Sequence, residues 1–394
     1  MRTLFVLSNM TFPPREGAHA QTLNLIKVLQ GKGVEISLIL FLKNRSSFDL
    51  DGFNGSYHGV NVISVFLDAR SYSYRFLVFS FLRLFRLHRL IYFKFFKVID
   101  RVSNDVDLIH AEGVPLVPLL CGSVKKPLVM SVVDAWSLRQ NRLAKFSFGI
   151  SKIQRRFSAT MSRYAEKFYL PKANVVHLVS PDDSSYLRGV SSRINLIDIP
   201  VMREIPNFKR DALPREGKSI LILGDISLPF IRDGILEFFA NLSDDQSAFL
   251  GGIRFYVLGR VEPDSELVSS IPSYLNFTFL RWVPNIDEEI IKHSAILLLD
   301  KSGTGLKNRV IDAMICKIPL IASVAAVEGI GVVNNIHCCI FNDYGSIVDA
   351  MKRVVSDCSF SENLRISAYN LFLSNYSSNV VGDRWVKLYL NLKG

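Results

Sequence analysis

The sequence predicts an α/β protein made of two parallel-sheet halves, and three observations carry that prediction. The first 41 residues read as strand, glycine-containing loop, helix and strand, a βαβ unit. Short uninterrupted apolar runs, such as 296–299 and 320–322, mark strands buried on both faces. Between the halves, residues 202–218 are polar, contain proline and show no periodicity, and after them the alternation of strands and helices begins again.

In chain order, residues 3–8 are a first strand and 9–18 a loop with Pro13, Pro14 and Gly17. From Gln21, the residues Leu23, Leu25, Ile26, Val28 and Leu29 predict a helix closed by Gly31 and Gly33, followed by a strand at 35–41. Residues 62–66, 108–110, 128–132 and 175–179 are further strands. These elements form a first domain over 1–201, and 202–218 is the linker. A second domain over 219–375 has strands at 219–223, 254–258, 277–280 and 296–299, with helices at 235–242 and 288–293. Helices at 348–355 and 363–372 follow, and a last helix within 376–394 is expected to cross back to the first domain.

The stretch 302–323, SGTGLKNRVIDAMICKIPLIAS, carries the chemistry. Gly303 and Gly305 stand where a strand turns sharply into a helix. Without Cβ atoms there, a ligand can come close to the backbone, and the free amides of the helix start suit an anion. Lys307 and Arg309 add positive charge, so a phosphate fits. Asp312 follows within two turns, and its carboxylate could accept hydrogen bonds from ribose hydroxyls. An ordinary strand-to-helix turn with solvated charges reads the same residues equally well. The third glycine of the dinucleotide fingerprint is missing, which disfavours hydride chemistry.

The whole chain sets further bounds. Its 394 residues suit two or three domains, and 49% hydrophobic with 21% charged residues is ordinary for a globular protein. No apolar run reaches the ~18 residues of a membrane span, and the opening residues suit a buried strand better than a signal peptide. Five cysteines without a CxxC pair imply reduced thiols and no zinc site. The net charge of +11 is uneven: residues 1–205 hold 28 Lys and Arg against 15 Asp and Glu, and residues 206–394 hold 19 against 21.

Several segments stand in a telling order. In the first half they are TFPPREGAHAQTLNLIKVLQGKGVEISLI, VDLIHAEG, SVVDAWSLRQNR and VVHLVSPDDSSYL. In the second they are ILGDISLPFIRDGILEFF, FYVLGRVEP, FTFLRWVPN and GTGLKNRVIDAM with the later PLIAS and VEGIGV. In this order they resemble the GT-B glycosyltransferases, nearest to family 4 and its bacterial sugar transferases that build surface polysaccharides. The resemblance implies two Rossmann-like parallel-sheet domains facing a central cleft, an acceptor-binding one and a nucleotide-sugar-binding one.

Carried over by position, Gly224 and the loop through Arg232 approach the donor diphosphate, with Arg232 one of its cations. Trp282 and Val283 lie against the base. Gly303, Thr304 and Gly305 surround diphosphate and sugar, Lys307 neutralises phosphate charge and Asp312 holds the ribose. Cations and helix-start amides there would stabilise charge on the departing nucleoside diphosphate. Glu328 and Gly329 match a segment that closes over the donor, though Gly329 also suits a plain turn. Gly17, His19, Glu112 and Arg139 are expected at the cleft on the acceptor side, and His110 reads as structural.

The departures from the family pattern concern the chemistry itself. The family often has two glutamates separated by seven residues; here Asp312 holds the second place and Thr304 stands eight residues before it. Lys317 replaces a glycine, and Val133 stands where a histidine is frequent, so Asp134 is the nearest candidate for the reacting centre. Asp134 equally suits a cap for the following helix.

Residues 70–101 hold eight Lys and Arg, one acidic residue and ten Phe and Tyr. On one continuous helix, Arg83, Arg86, Arg89, Lys94, Lys97 and Arg101 fall within an arc of roughly 140°. That pattern predicts a face for an anionic membrane surface, unless the apolar side packs into the core and leaves the cations in water. The expected activity is transfer of a hexose from a UDP- or GDP-sugar to a lipid-linked or growing surface glycan such as lipopolysaccharide, with the retention of configuration that the resemblance implies, at the cytoplasmic face of the cell membrane, without metal or cofactor and without nucleic acid. The alternatives are a GT-B epimerase of nucleotide sugars, or a catalytically silent subunit that binds a partner or the membrane.

Overall fold

The computed structural model describes all residues except 15–16, 69–71, 207–217, 260–261, 282, 303–305 and 394, and the side chains of 72–75. The chain forms two compact units: Met1–Arg203 with Ser378–Gly394, and Glu204–Ser377.

The first unit holds a seven-stranded parallel sheet. Its strands are β1 (Arg2–Ser8), β2 (Glu35–Leu42), β3 (Asn61–Leu67), β4 (Leu108–Glu112), β5 (Leu128–Val133), β6 (Val175–Leu178) and β7 (Leu196–Asp198). They lie in the order β3-β2-β1-β4-β5-β6-β7. The apolar runs are explained by packing on both faces: in β1, Leu4 and Val6 join one core cluster while Phe5 and Leu7 join the other. The helix Ser378–Lys393 belongs to this unit and sends Val381, Trp385, Leu388 and Tyr389 into the second of those clusters. Lys32 pairs with Asp383 at 2.6 Å, and Lys393 pairs with Asp107 at 3.2 Å.

The strand expected at 108–110 runs on to Glu112, so His110 is mid-strand, opposite Phe5 and Val129. Its ring stacks on Phe5 at 4.5 Å and on Trp385 at 5.0 Å, and its Nδ1 meets the Tyr389 hydroxyl. Burial holds this imidazole well below its ordinary pKa, hence neutral.

The second unit holds a six-stranded parallel sheet of β8 (Ser219–Leu223), β9 (Arg254–Leu258), β10 (Asn276–Leu280), β11 (Ala295–Leu298), β12 (Leu320–Ser323) and β13 (Cys339–Phe341). The order is β10-β9-β8-β11-β12-β13. The short edge strands β7 and β13 were not expected from the sequence. Cys121, Cys316, Cys338 and Cys339 are buried and Cys358 is exposed, all as free thiols.

Residues 70–101 do not form one helix, which corrects the single wheel. Tyr72–Leu84, His88–Ile91 and Phe93–Val102 are separate helices. The break falls at Arg86, whose φ of 58° is left-handed. Phe76, Phe79, Phe95, Phe96 and Ile99 fill the core, while Leu84, Phe85 and Ile91 stay exposed. Among the described residues, no helix is long and apolar enough to cross a membrane.

Candidate active site

In a doubly wound sheet, ligands bind beyond the carboxyl ends of the strands where the strand order reverses. In the second unit that point lies between β8 and β11. Three glycines let the backbone pack closely there. A Cβ on Gly224 would stand 2.7 Å from Arg309 Nη1 and 3.1 Å from Ile231, and one on Gly259 would stand 2.7 Å from the Gly224 carbonyl oxygen. A Cβ on Gly234, in the helix Pro229–Ala240, would overlap the carbonyl oxygen of Leu299.

Arg309 ties the two central strand ends together. Its Nη1 donates to the Leu223 carbonyl at 2.6 Å and its Nη2 to Asp300 Oδ1 at 2.6 Å. Asp300 follows directly after the β11 run, and its side chain is fully buried. Arg309 is therefore paired within the fold, and Lys307 stands two residues before it at the start of the same helix. Lys307, 9% exposed, is the N-cap residue of the helix Asn308–Ile315, and Asp312 within that helix is 6% exposed. Asp300 Oδ2 and Asn308 Oδ1 are buried with no hydrogen-bond partner among the described residues, and buried acceptors left this way point to a ligand or ordered water. Gly224, Lys307 and Asp312 thus belong to one region of the second unit. Gly303, Thr304, Gly305 and Trp282 lie outside the described residues, and Val283 is half-buried beyond the end of β10.

Arg232 has carboxylate partners in this unit. Its guanidinium lies 3.0 and 3.2 Å from the two Asp264 oxygens and also pairs with Glu266. Those hydrogen bonds, Asp264 first, raise its pKa further. Both carboxylates are largely exposed, so these are surface ion pairs of small worth.

In the first unit the order reverses between β1 and β4. The helix expected from Gln21 starts four residues earlier, at Gly17, so Gly17 and His19 stand in its first turn rather than in a loop. His19 Nδ1 lies 2.9 Å from Thr11 Oγ1. Thr22 Oγ1 donates to Glu112 Oε1 at 2.5 Å across the strand ends. Burial raises the Glu112 carboxyl to about 7, with the Thr22 bond opposing the rise. Gly17, His19 and Glu112 are brought together here.

Asp134 and Arg139 come together one strand over. Asp134 follows Val133, a β-branched residue at φ 66°, where the β5–β6 register shifts. Such a backbone is strained and persists only where its surroundings fix it. The N-cap residue of the helix Trp136–Lys145 is Ala135; Asp134, just before it, faces Arg139 at 3.5 Å, and Arg139 lies over Trp136 at 5.2 Å. The capping is done from behind, by residues with no recognisable motif. Asp183 accepts from Ala135 N at 3.3 Å, and Glu166 accepts from Ser137 N at 2.9 Å and from its hydroxyl. Burial raises Glu166 to about 7.

Two of the five cations expected to face a membrane also have partners within the first unit. Arg83 donates to the Cys121 and Gly122 carbonyls at 3.1 and 3.4 Å and touches Ser123 and His88; desolvation lowers its pKa. Arg89 donates to Ser123 O at 2.6 Å and to Asp100 at 2.7 Å. Arg86, Lys94 and Lys97 are exposed. Among the described residues, no group of three or more His, Cys, Asp or Glu side chains could hold a metal ion.

Compared by sequence, the chain matches no family profile and no curated protein. Compared by structure, it resembles sucrose-phosphate synthase from Thermosynechococcus elongatus at TM-score 0.69 and 17% identity, over 100% of this chain and 99% of that one. It resembles TarM at TM-score 0.70 and 10% identity, over 99% of each chain. Anabaena HepE, solved with UDP and glucose, matches at TM-score 0.64 and 12% identity, over 99% of this chain and 100% of that one. Two doubly wound parallel-sheet units with these neighbours give the chain the GT-B fold of glycosyltransferases.

Proposed function

We propose that the protein transfers a sugar from a UDP- or GDP-linked donor to a lipid-linked or growing surface-polysaccharide acceptor, with retention of configuration, at the inner face of the cell membrane. The observation that carries the proposal is the switch point of the second unit. There a tightly packed glycine, a buried lysine at a helix start, and buried acceptors of Asp300 and Asn308 that have no partner among the described residues converge around the carboxyl ends of β8 and β11. That combination suits a nucleoside diphosphate: amides and Lys307 meet phosphate oxygens, and Asp312 accepts from ribose hydroxyls. Similarity to HepE, solved with UDP-glucose and with UDP, supports a nucleotide-sugar donor.

Lys307 and the helix start would stabilise the charge that grows on the leaving diphosphate. Asp300 acts through Arg309, holding the strand ends in place. On the acceptor side, Asp134 with Arg139, and Glu112 with His19, supply the polar groups, and the strained turn at Val133 presents Asp134. Transfer is favoured over epimerisation because the one compared structure named above by its activity is a synthase, sucrose-phosphate synthase. Titration calorimetry with UDP and GDP, followed by a screen of nucleotide sugars for hydrolysis, tests the reading. Binding of one nucleotide is expected; no heat with either at millimolar concentration would reject it.

A further inference from the structure

We infer that the helix Gly149–Phe168 docks on an anionic lipid bilayer. The helix has three distinct faces. Ala159, Ser162, Ala165 and Glu166 are buried against the first unit. At ~100° per residue, Ile150, Ile153, Phe157, Tyr164 and Phe168 fall within an arc of about 60°, and all five are exposed, Ile150 at 75% and Ile153 at 68%. Phe148, next to the first turn, is 84% exposed. Beside this stripe, Lys152, Arg156, Arg163 and Lys167 fill a second arc of about 60°. Glu166 is the helix's one acidic residue, and it is buried under Ser137.

An exposed apolar stripe of this length on a soluble surface calls for an occupant, and its charge names one. The three- and four-residue spacing of the stripe would also accept a second helix. A second copy, however, would bring the same cations with no exposed acid on this helix to meet them. A bilayer with anionic headgroups satisfies both faces: acyl chains and the interface take the stripe, and headgroups take the cations. A second exposed apolar cluster in this unit, including Phe81, Leu84, Phe85 and Leu90, has the same character, with Arg86, Lys94 and Lys97 exposed near it in sequence.

The inference extends the proposed function in naming the surface that approaches a membrane-bound acceptor. It is read without nucleotide or sugar transfer, so either can fail alone. The experiment is co-sedimentation of the full chain with vesicles of phosphatidylcholine, with and without phosphatidylglycerol. Binding to the anionic vesicles only is expected. Ile153→Ser with Phe157→Ser should weaken it at least about tenfold. Lys152→Ser, Arg156→Ser and Lys167→Ser together should weaken it about a hundredfold at low salt, each cation contributing about fivefold. Ile366→Ser, an exposed apolar position on another helix, should leave it unchanged. Circular dichroism checks that each variant stays folded. Unchanged vesicle binding in either the apolar or the cationic variant overturns the inference. So does a dimer in gel filtration that the Ile153 and Phe157 changes convert to monomer, or RNA binding that the cationic variant alone abolishes while vesicles do not bind.

Discussion

Replacing Asp300 tests the organisation of the second unit most directly. Its buried carboxylate holds Arg309 at 2.6 Å, and Arg309 in turn holds the Leu223 carbonyl at 2.6 Å. Asp300→Asn keeps the shape but leaves the guanidinium charge opposite a neutral amide. Breaking one partner of a buried pair costs about 3–5 kcal/mol. Arg309 keeps a fifth of its side chain exposed and retains the Leu223 bond, which places the cost near the lower end, about 3 kcal/mol. For a unit of this size each kcal/mol shifts Tm by roughly 2–4 °C, so scanning calorimetry should show the second unit melting about 6–12 °C lower. The double variant Asp300→Leu with Arg309→Met fills the same space with apolar groups and should recover most of that loss. Its affinity for nucleotide should stay low, because no guanidinium then packs on Gly224 or links the strand ends. A shift below about 2 °C for Asp300→Asn, or full affinity in the double variant, would refute the reasoning.

Three further predictions follow from other groups. Lys307→Ala should lower nucleotide affinity by about tenfold to a hundredfold, the worth of a charge-assisted phosphate contact; equal calorimetric affinity for variant and parent would remove the diphosphate from this helix start. Glu166 has its folded pKa raised by burial to about 7, against 4.5 as a free side chain, so the folded state holds the proton more tightly and this group's contribution to stability falls as pH rises through that window. Between pH 5.5 and 8 the loss is about 2 kcal/mol; Glu166→Gln should remove it, and parallel melting curves for parent and variant across that range would contradict the assignment. Arg83→Ala should destabilise the first unit by about 1–3 kcal/mol, because the Cys121 and Gly122 carbonyls and Ser123 lose their donor. Its binding to vesicles should equal that of the parent, and a stable variant with weakened vesicle binding would return Arg83 to the membrane face.

What could be read from the sequence depended on the length scale of each signal. Strands buried on both faces announce themselves as apolar runs, so β8, β9 and β11 were legible, as was the restart of the pattern after the linker. The three-residue strands β7 and β13 are too short to show any period. Lys307 and Asp312 could be placed because they belong to the same turn and helix. Partnerships across sequence could not: nothing near Arg232 announces Asp264, and nothing near Ser137 announces Glu166. Asp300 did carry a local signal, an acid closing a fully apolar run, since a carboxylate at a buried strand end needs a cation, and Arg309 is nine residues away.

The basic character of the first unit shows why charge counts and wheels need the fold. The wheel over 70–101 assumed a continuous helix, and the break at Arg86 has neither glycine nor proline to mark it. Once broken, Arg83 and Arg89 turn to carbonyls and to Asp100, so part of the charge excess is internal. Residues 149–168 hold only three Phe and Tyr, so their composition does not mark a membrane element. There the buried face is made of the small Ala159, Ser162 and Ala165 with Glu166, Met161 packs partly against the core, and Ile150, Ile153, Phe157, Tyr164 and Phe168 are left outside beside the cations. Hydrophobicity alone would have put the large residues inward. The inward face instead carries small residues and Glu166, which accepts from Ser137 N at 2.9 Å, and the apolar stripe beside the cations is the face left to the surroundings.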